Sequence, residues 1–108
     1  MELNDYQFVS QKTAIYPEDQ GVTYCVLGLA GEAGEVADKY KKVIRDNNSK
    51  LTPEISSSIA KELGDVLWYV SNLAYELGFS LEEVAQMNIE KLQSRLKRNQ
   101  LSGSGDER

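Results

Sequence analysis

Apolar residues recur at helical spacing along most of the chain, and only a few positions interrupt the pattern. Pro17 and Pro53 mark two interruptions, the polar run 46–50 precedes the second proline, and Gly78 marks another. Proline removes a backbone donor and glycine favours a helix C-terminus, so these residues separate helices. No strand-like alternation and no internal repeat is present. The pattern therefore predicts an all-α chain built as a helical bundle.

The start signals place four helices. Asn4 and Gln7 have capping-box spacing, Thr52 precedes a proline at the first helical position, and Ser80 with Glu83 forms a second capping box. The predicted helices run roughly over residues 5–15, 22–45, 53–77 and 81–98. Residues 1–100 are predicted to form a single helical domain, and residues 101–108 a flexible Gly/Ser tail.

The composition excludes several classes of function. The chain has 12 Lys plus Arg against 17 Asp plus Glu, a net charge of −5, which disfavours a nucleic acid polymer as partner. It contains no His and one Cys, so His-based catalysis, internal disulfides and most zinc or di-iron sites are excluded. No apolar run is long enough to span a membrane, and the N-terminus does not resemble a signal peptide. We therefore expect a cytoplasmic protein without a membrane partner.

Two pairs of acidic residues stand at the edges of predicted apolar faces. Glu32 and Glu35 lie three positions apart on the second helix, and Glu62 and Asp65 have the same spacing on the third. Spacing of three places both members of a pair on one helix face. If the two faces pack together, four carboxylates meet, and all-oxygen ligation selects Mg²⁺, with Mn²⁺ as a substitute. The alternative is ordinary surface pairing, for which Glu35–Lys39 has the required i,i+4 spacing.

The segments that carry these pairs, GLAGEAGEVAD at 28–38 and KELGDVLWY at 61–69, resemble the MazG-like nucleotide pyrophosphohydrolases. The resemblance continues through NIEKLQSR at 88–95 and the closing GSGDER at 103–108. It implies a four-helix MazG-like fold and Mg²⁺-dependent hydrolysis of a nucleoside triphosphate to the monophosphate and pyrophosphate. It also implies that Glu32, Glu35, Glu62 and Asp65 bind the metal and form the catalytic centre.

Further residues are candidates for binding the substrate. Lys39 continues the carboxylate stripe, Tyr69 lies one turn beyond Asp65, and Asn88 lies within an apolar face and needs a polar partner. The cations of the last helix suit phosphate oxygens, and the resemblance implies that the tail closes over bound phosphates. The candidates on the last helix and in the tail are Lys91, Arg95, Gly103, Ser104, Gly105 and Arg108.

Chain length bears on assembly, because a chain this short buries only a modest core. We expect a homodimer or a homotetramer, with a second copy completing the bundle and the site. The competing functional hypothesis is a non-catalytic helical interaction or regulatory protein whose carboxylates are merely surface groups. A ferritin-like oxidative metal site is nearly excluded, because it requires the Glu-x-x-His ligands that this chain lacks.

Overall fold

The computed structural model describes residues 1–108, and it contains four α-helices and no strand. The helices are α1 (Leu3–Gln11), α2 (Gly21–Asp46), α3 (Pro53–Glu76) and α4 (Leu81–Lys97), and a short 3-10 helix (Glu18–Gln20) precedes α2. The predicted all-α, four-helix architecture is therefore confirmed. None of the helices combines the length and the apolar character that a membrane span needs.

Local signals fix most of the helix ends. The Thr52 side chain accepts from the backbone N–H of Ile55, and Ser80 and Glu83 form the predicted capping box. Gly78 has a φ of +87°, the left-handed conformation that lets the chain turn after α3 at little steric cost. The predicted starts of α3 and α4 are thus confirmed.

The start of α1 differs from the prediction. The helix begins at Leu3, where the Glu2 backbone N–H donates to the Asp5 carboxylate at 3.0 Å, so the capping box lies two residues before the predicted Asn4–Gln7 pair. The helix also ends at Gln11, four residues earlier than predicted.

Asn4 and Gln7 instead cap a different helix. The Asn4 Oδ1 accepts from the N–H of Glu82 at 3.0 Å, and the Gln7 Oε1 accepts from the N–H of Leu81 at 3.1 Å. These are among the first amides of α4, which have no partner within their own helix. The buried Gln7 also donates to the carbonyl of Ser71 on α3. The i,i+3 spacing in α1 therefore fixes the packing of three helices.

The site depends on the pairing of α2 with α3, the most extensive helix contact in the chain. Gly28 faces Tyr69, and eleven residues later Lys39 bonds Ser58, eleven residues earlier on the partner helix. Contacts that lie further along α2 therefore meet residues that lie earlier along α3, so the two helices run antiparallel. Helix α4 packs on α1 and α3 and makes no contact with α2.

A single chain covers little of its own apolar surface. Only 10 of 108 residues are buried, and five of them are polar or charged. The radius of gyration is 16.7 Å, against about 13 Å for a compact domain of about 100 residues. Much of each predicted apolar stripe is exposed, including Val26, Tyr40, Leu63, Leu77, Leu92 and Leu96. These faces are available to a second molecule.

Candidate metal and nucleotide site

Three carboxylates meet where α2 crosses the middle of α3. Oxygen atoms of Glu32, Glu62 and Asp65 all lie within 4.8 Å of one another. The three-residue spacing places both acids of α3 on the face that meets α2, and the antiparallel register brings Glu32 opposite them. The structure therefore brings together three of the four predicted metal ligands.

Glu35 lies outside this group and is exposed on α2. It stands one turn beyond Glu32, and its charge still contributes to the potential at Glu32. The predicted Glu35–Lys39 surface pair does not form, because Lys39 turns across the helix interface instead. The other i,i+4 pair of this helix, Asp38–Lys42, is present at 2.9 Å.

Lys39 is the cation nearest to the carboxylates. Its Nζ lies 2.9 Å from the Glu62 Oε1 and donates to the Ser58 Oγ at 2.7 Å and the Ser58 carbonyl at 3.3 Å. Three acceptors on α3 thus hold one ammonium group. Sequence reasoning missed Ser58, because a lone serine on a helix gives no sign of which side chain crosses to meet it.

The electrostatics of the cluster are repulsive despite this lysine. Burial raises the pKa of Glu32 above its usual value, and the negative charges of Asp65, Glu62 and Glu35 raise it further. A carboxylate surrounded by like charges is stabilised by a proton or by a cation. The position is therefore suited to a bound cation.

Neutralising Glu32 should stabilise the free protein. Because the folded-state pKa of Glu32 is raised, protonation of Glu32 favours the folded chain below the unfolded pKa, and this contribution is lost as pH rises through the folded pKa. In metal-free buffer at pH 7, Glu32→Gln should raise the melting temperature by a few degrees. The difference should shrink as pH falls and disappear below about pH 3, where Glu is protonated in both the folded and the unfolded chain. An unchanged or lower melting temperature at pH 7 would contradict the repulsion.

An aromatic wall adjoins the carboxylates. A cavity of about 280 Å³ is lined by Glu32, Asp65, Trp68 and Tyr69. The two aromatic rings pack edge to face with centroids 4.9 Å apart, and the Trp68 Nε1 donates to the Thr13 Oγ1 at 2.8 Å. The hydrogen bond ties the indole to the segment after α1, so the wall is held in place.

Two further tyrosines support this wall, and sequence reasoning missed both. Tyr24 lies 6.2 Å from Tyr69, ring centroid to ring centroid, and stacks on Tyr16 at 5.1 Å. Burial raises the pKa of the Tyr69 hydroxyl, and its contact with Tyr24 adds to the effect. Gly28 makes the arrangement possible, because the ring of Tyr69 occupies the space that a side chain at this position would need. In the sequence, this glycine within the helix was the one indication that a large side chain packs closely against α2.

The candidates on α4 form a separate group. Asn88 is exposed and makes no side-chain hydrogen bond, so the polar partner expected for it is not supplied by this chain. Lys91 and Arg95 both bond to Asp106 in the tail. No hydrogen bond or ion pair joins these residues to the carboxylates of α2 and α3.

The tail makes a compact set of turns around its last residue. The Arg108 guanidinium donates to the carbonyls of Gln100, Leu101 and Gly105 at 3.1, 3.0 and 2.7 Å. Gly103 and Gly105 both have positive φ, as such turns require. Ser104 is exposed, and no side-chain hydrogen bond involves it. The tail therefore folds on itself and on α4.

The family follows from comparison of the sequence with known proteins. Residues 20–99 match the family model described as the MazG nucleotide pyrophosphohydrolase domain. The chain belongs to this family. The matched range contains α2, α3 and α4, and with them all three clustered carboxylates. The suspected MazG relationship is thereby confirmed.

A phage protein is similar to this MazG domain over its whole length. The Gene 37 protein of Mycobacterium phage L5 is 45% identical over 114 aligned residues, which cover all of both chains. The search of solved structures found no match. The family therefore identifies the type of domain, and the arrangement of residues must supply the details of substrate and metal.

Proposed function

We propose that this protein is a Mg²⁺-dependent nucleoside triphosphate pyrophosphohydrolase that converts ribo- or deoxynucleoside triphosphates to monophosphates and pyrophosphate. The observation that carries the proposal is the meeting of Glu32, Glu62 and Asp65 across two antiparallel helices of a MazG domain. In the overall reaction, one water oxygen bonds to the α phosphorus. The bond to the bridging α–β oxygen breaks, and that oxygen leaves with pyrophosphate.

The donor atoms fit a hard divalent cation. All three clustered side chains offer carboxylate oxygens, and the chain has no histidine to favour a softer metal. We infer that Glu32, Glu62 and Asp65 hold the metal, together with Glu35 as the family motif implies. Bound Mg²⁺ would neutralise phosphate oxygens and acidify a water, so no histidine base is required.

The residues around the carboxylates suit the rest of a nucleotide. Lys39, held by Ser58 beside Glu62, can offer its charge to a phosphate. Trp68 and Tyr69 present aromatic surface next to the acids, which suits a sugar or a base. On this proposal Asn88, Lys91, Arg95 and the tail residues Gly103, Ser104, Gly105 and Arg108 also bind substrate.

Pyrophosphate release tests the activity directly. With Mg²⁺, the purified full-length chain should release pyrophosphate from ribo- and deoxynucleoside triphosphates in a substrate panel. With Mn²⁺ the release should be no greater than with Mg²⁺, and with EDTA there should be none. The monophosphate should appear in equal amount. No release from any nucleotide would overturn the proposal and favour the non-catalytic helical interaction protein.

The exposed apolar faces support a homo-oligomer. The chain exposes 7824 Å², against about 6,000 Å² for a compact monomer of this length. The excess of about 1,800 Å² exceeds the roughly 800 Å² that each partner buries in a standard interface. Helix α4 carries Lys91 and Arg95 and is not packed on α2 of its own chain. We infer that a second copy covers the exposed apolar faces and completes the site.

Sedimentation velocity tests the assembly. The wild-type chain should sediment as a dimer or tetramer at micromolar concentration. Leu96 lies on α4 and is 64% exposed. Leu96→Glu should shift the population toward monomer, because it places a charge in the proposed apolar interface. The matched control Lys97→Glu, also on α4, should sediment as wild type. A folded, active wild-type monomer would exclude the oligomer.

A further inference from the structure

Arg95 is a buried cation with a single anionic partner. Its side chain is 6% exposed, and its Nη2 donates to the Asp106 carboxylate at 3.1 Å and to the Asp106 carbonyl at 2.8 Å. One turn away, the Lys91 Nζ lies 2.7 Å from the same carboxylate oxygen. A buried guanidinium without an anion is costly. The pair therefore needs a negative group, and in the free chain Asp106 supplies it.

Asp106 is held only by these two cations. Its side chain is 77% exposed, and the positive charges of Lys91 and Arg95 lower its pKa below the usual range, so it is ionised at neutral pH. An exposed carboxylate of this kind can leave its partners without opening the helical core. It is therefore an exchangeable anion.

Asp106, through its carboxylate and its backbone carbonyl, is also the main polar attachment of the tail to the helices. The other polar anchor, Arg108, bonds to carbonyls of residues 100, 101 and 105, all after the end of α4. No hydrogen bond or ion pair connects residues 101–108 to α1, α2 or α3. Loss of the Asp106 contact would thus free the tail from the helical body.

Two cations that converge on one carboxylate oxygen could hold a phosphate oxygen equally well. We propose that Asp106 is an internal competitor of the substrate phosphates, which occupies Lys91 and Arg95 in the free protein and is displaced when nucleotide binds. Displacement then detaches Asp106 from Lys91 and Arg95, so that the tail residues are free to contact the bound phosphates instead. This inference rests on the proposed function, because it takes Lys91 and Arg95 as phosphate-binding residues.

The test measures phosphate binding apart from turnover. Inorganic tripolyphosphate is titrated calorimetrically into the full-length protein, with Asp106→Asn compared with wild type. Removing the competitor should tighten binding about five- to tenfold, because a larger fraction of the sites is then open. Glu107→Gln is the matched control, since it removes the same charge from the next residue, which bonds neither cation. It should leave the affinity unchanged.

Equal or weaker binding by Asp106→Asn would overturn the inference, and so would an equal gain in Glu107→Gln, which would indicate a nonspecific charge effect. A second readout is hydrogen exchange of residues 101–108 in the free protein. Exchange should be faster in Asp106→Asn than in the wild type, because the carboxylate contact with Lys91 and Arg95 is lost. Equal exchange rates would contradict the attachment of the tail through Asp106. Absence of nucleotide turnover alongside the predicted affinity change would refute only the proposed function.

Discussion

Neutralising any of the clustered carboxylates should nearly abolish turnover. Glu62→Gln, Asp65→Asn and Glu32→Gln each remove a charged oxygen donor while keeping the side-chain shape. We expect each to lower kcat by about 100-fold or more, because the loss of one metal contact removes several kcal/mol of transition-state stabilisation. Pyrophosphate release at saturating nucleotide and Mg²⁺ measures the effect. If two of the three kept near-normal activity, the metal site would lie elsewhere.

Glu35→Gln tests the fourth ligand separately. The family motif implies that this residue binds metal, whereas in the structure it stands outside the three-carboxylate group. A loss as large as that of the other three variants would mean that Glu35 turns inward when metal binds. Near-normal activity would define a site of three carboxylates.

The matched control for these variants is Asp38→Asn on the same helix. Hydrogen bonds from Lys42 and Lys41 lower the pKa of Asp38 to about 2. Asp38 is therefore ionised at every working pH, but its carboxylate pairs with Lys41 and Lys42 and is not part of the three-carboxylate group. It should retain full activity. Its small contribution to stability is present above the unfolded pKa and is lost only as pH falls toward the folded value.

The helix boundaries were predictable where the deciding contact is local. Thr52 with Pro53 and Ser80 with Glu83 act within four residues, and the structure shows both devices at the expected positions. The start of α1 was not predictable in this way, because the Asn4 side chain accepts from a backbone N–H at the start of α4 and not from one of α1. Sequence spacing gives the same signal in either case, and only the packing of the two helices decides between them.

In the candidate site, too, contacts within one helix were predictable and contacts between helices were not. Spacing predicts that the acids of one helix share a face, but only the register of α2 against α3 determines that Glu32 meets Glu62 and Asp65 while Glu35 does not. The partner of Lys39 illustrates the difference. The i,i+4 spacing predicts that Lys39 pairs with Glu35, whereas in the structure Lys39 pairs with Glu62 on the antiparallel helix α3.

Gly28 is predicted to be the most sensitive glycine of the site. A Cβ at this position would lie 2.1 Å from the Cε1 and 2.3 Å from the Cζ of Tyr69, inside any acceptable contact distance. The ring has little freedom to retreat, because Trp68 and Tyr24 pack against it. Gly28→Ala gains about 1 kcal/mol of helix propensity, but overpacking costs about 1–3 kcal/mol. Displacement of Tyr69 also disturbs the wall beside Glu32.

We therefore expect Gly28→Ala to lower the melting temperature by about 5 °C and to raise KM for nucleotide, with a smaller change in kcat. Gly34→Ala on the same helix is the matched control. Nothing lies within 4 Å of its added Cβ, so the substitution should gain the helix propensity and stabilise the chain. Tyr69→Ala should remove the stability cost of Gly28→Ala, since the clash needs both side chains, and the double-mutant cycle measures this coupling. Additive effects on melting temperature would show that the ring does not occupy the space above Gly28.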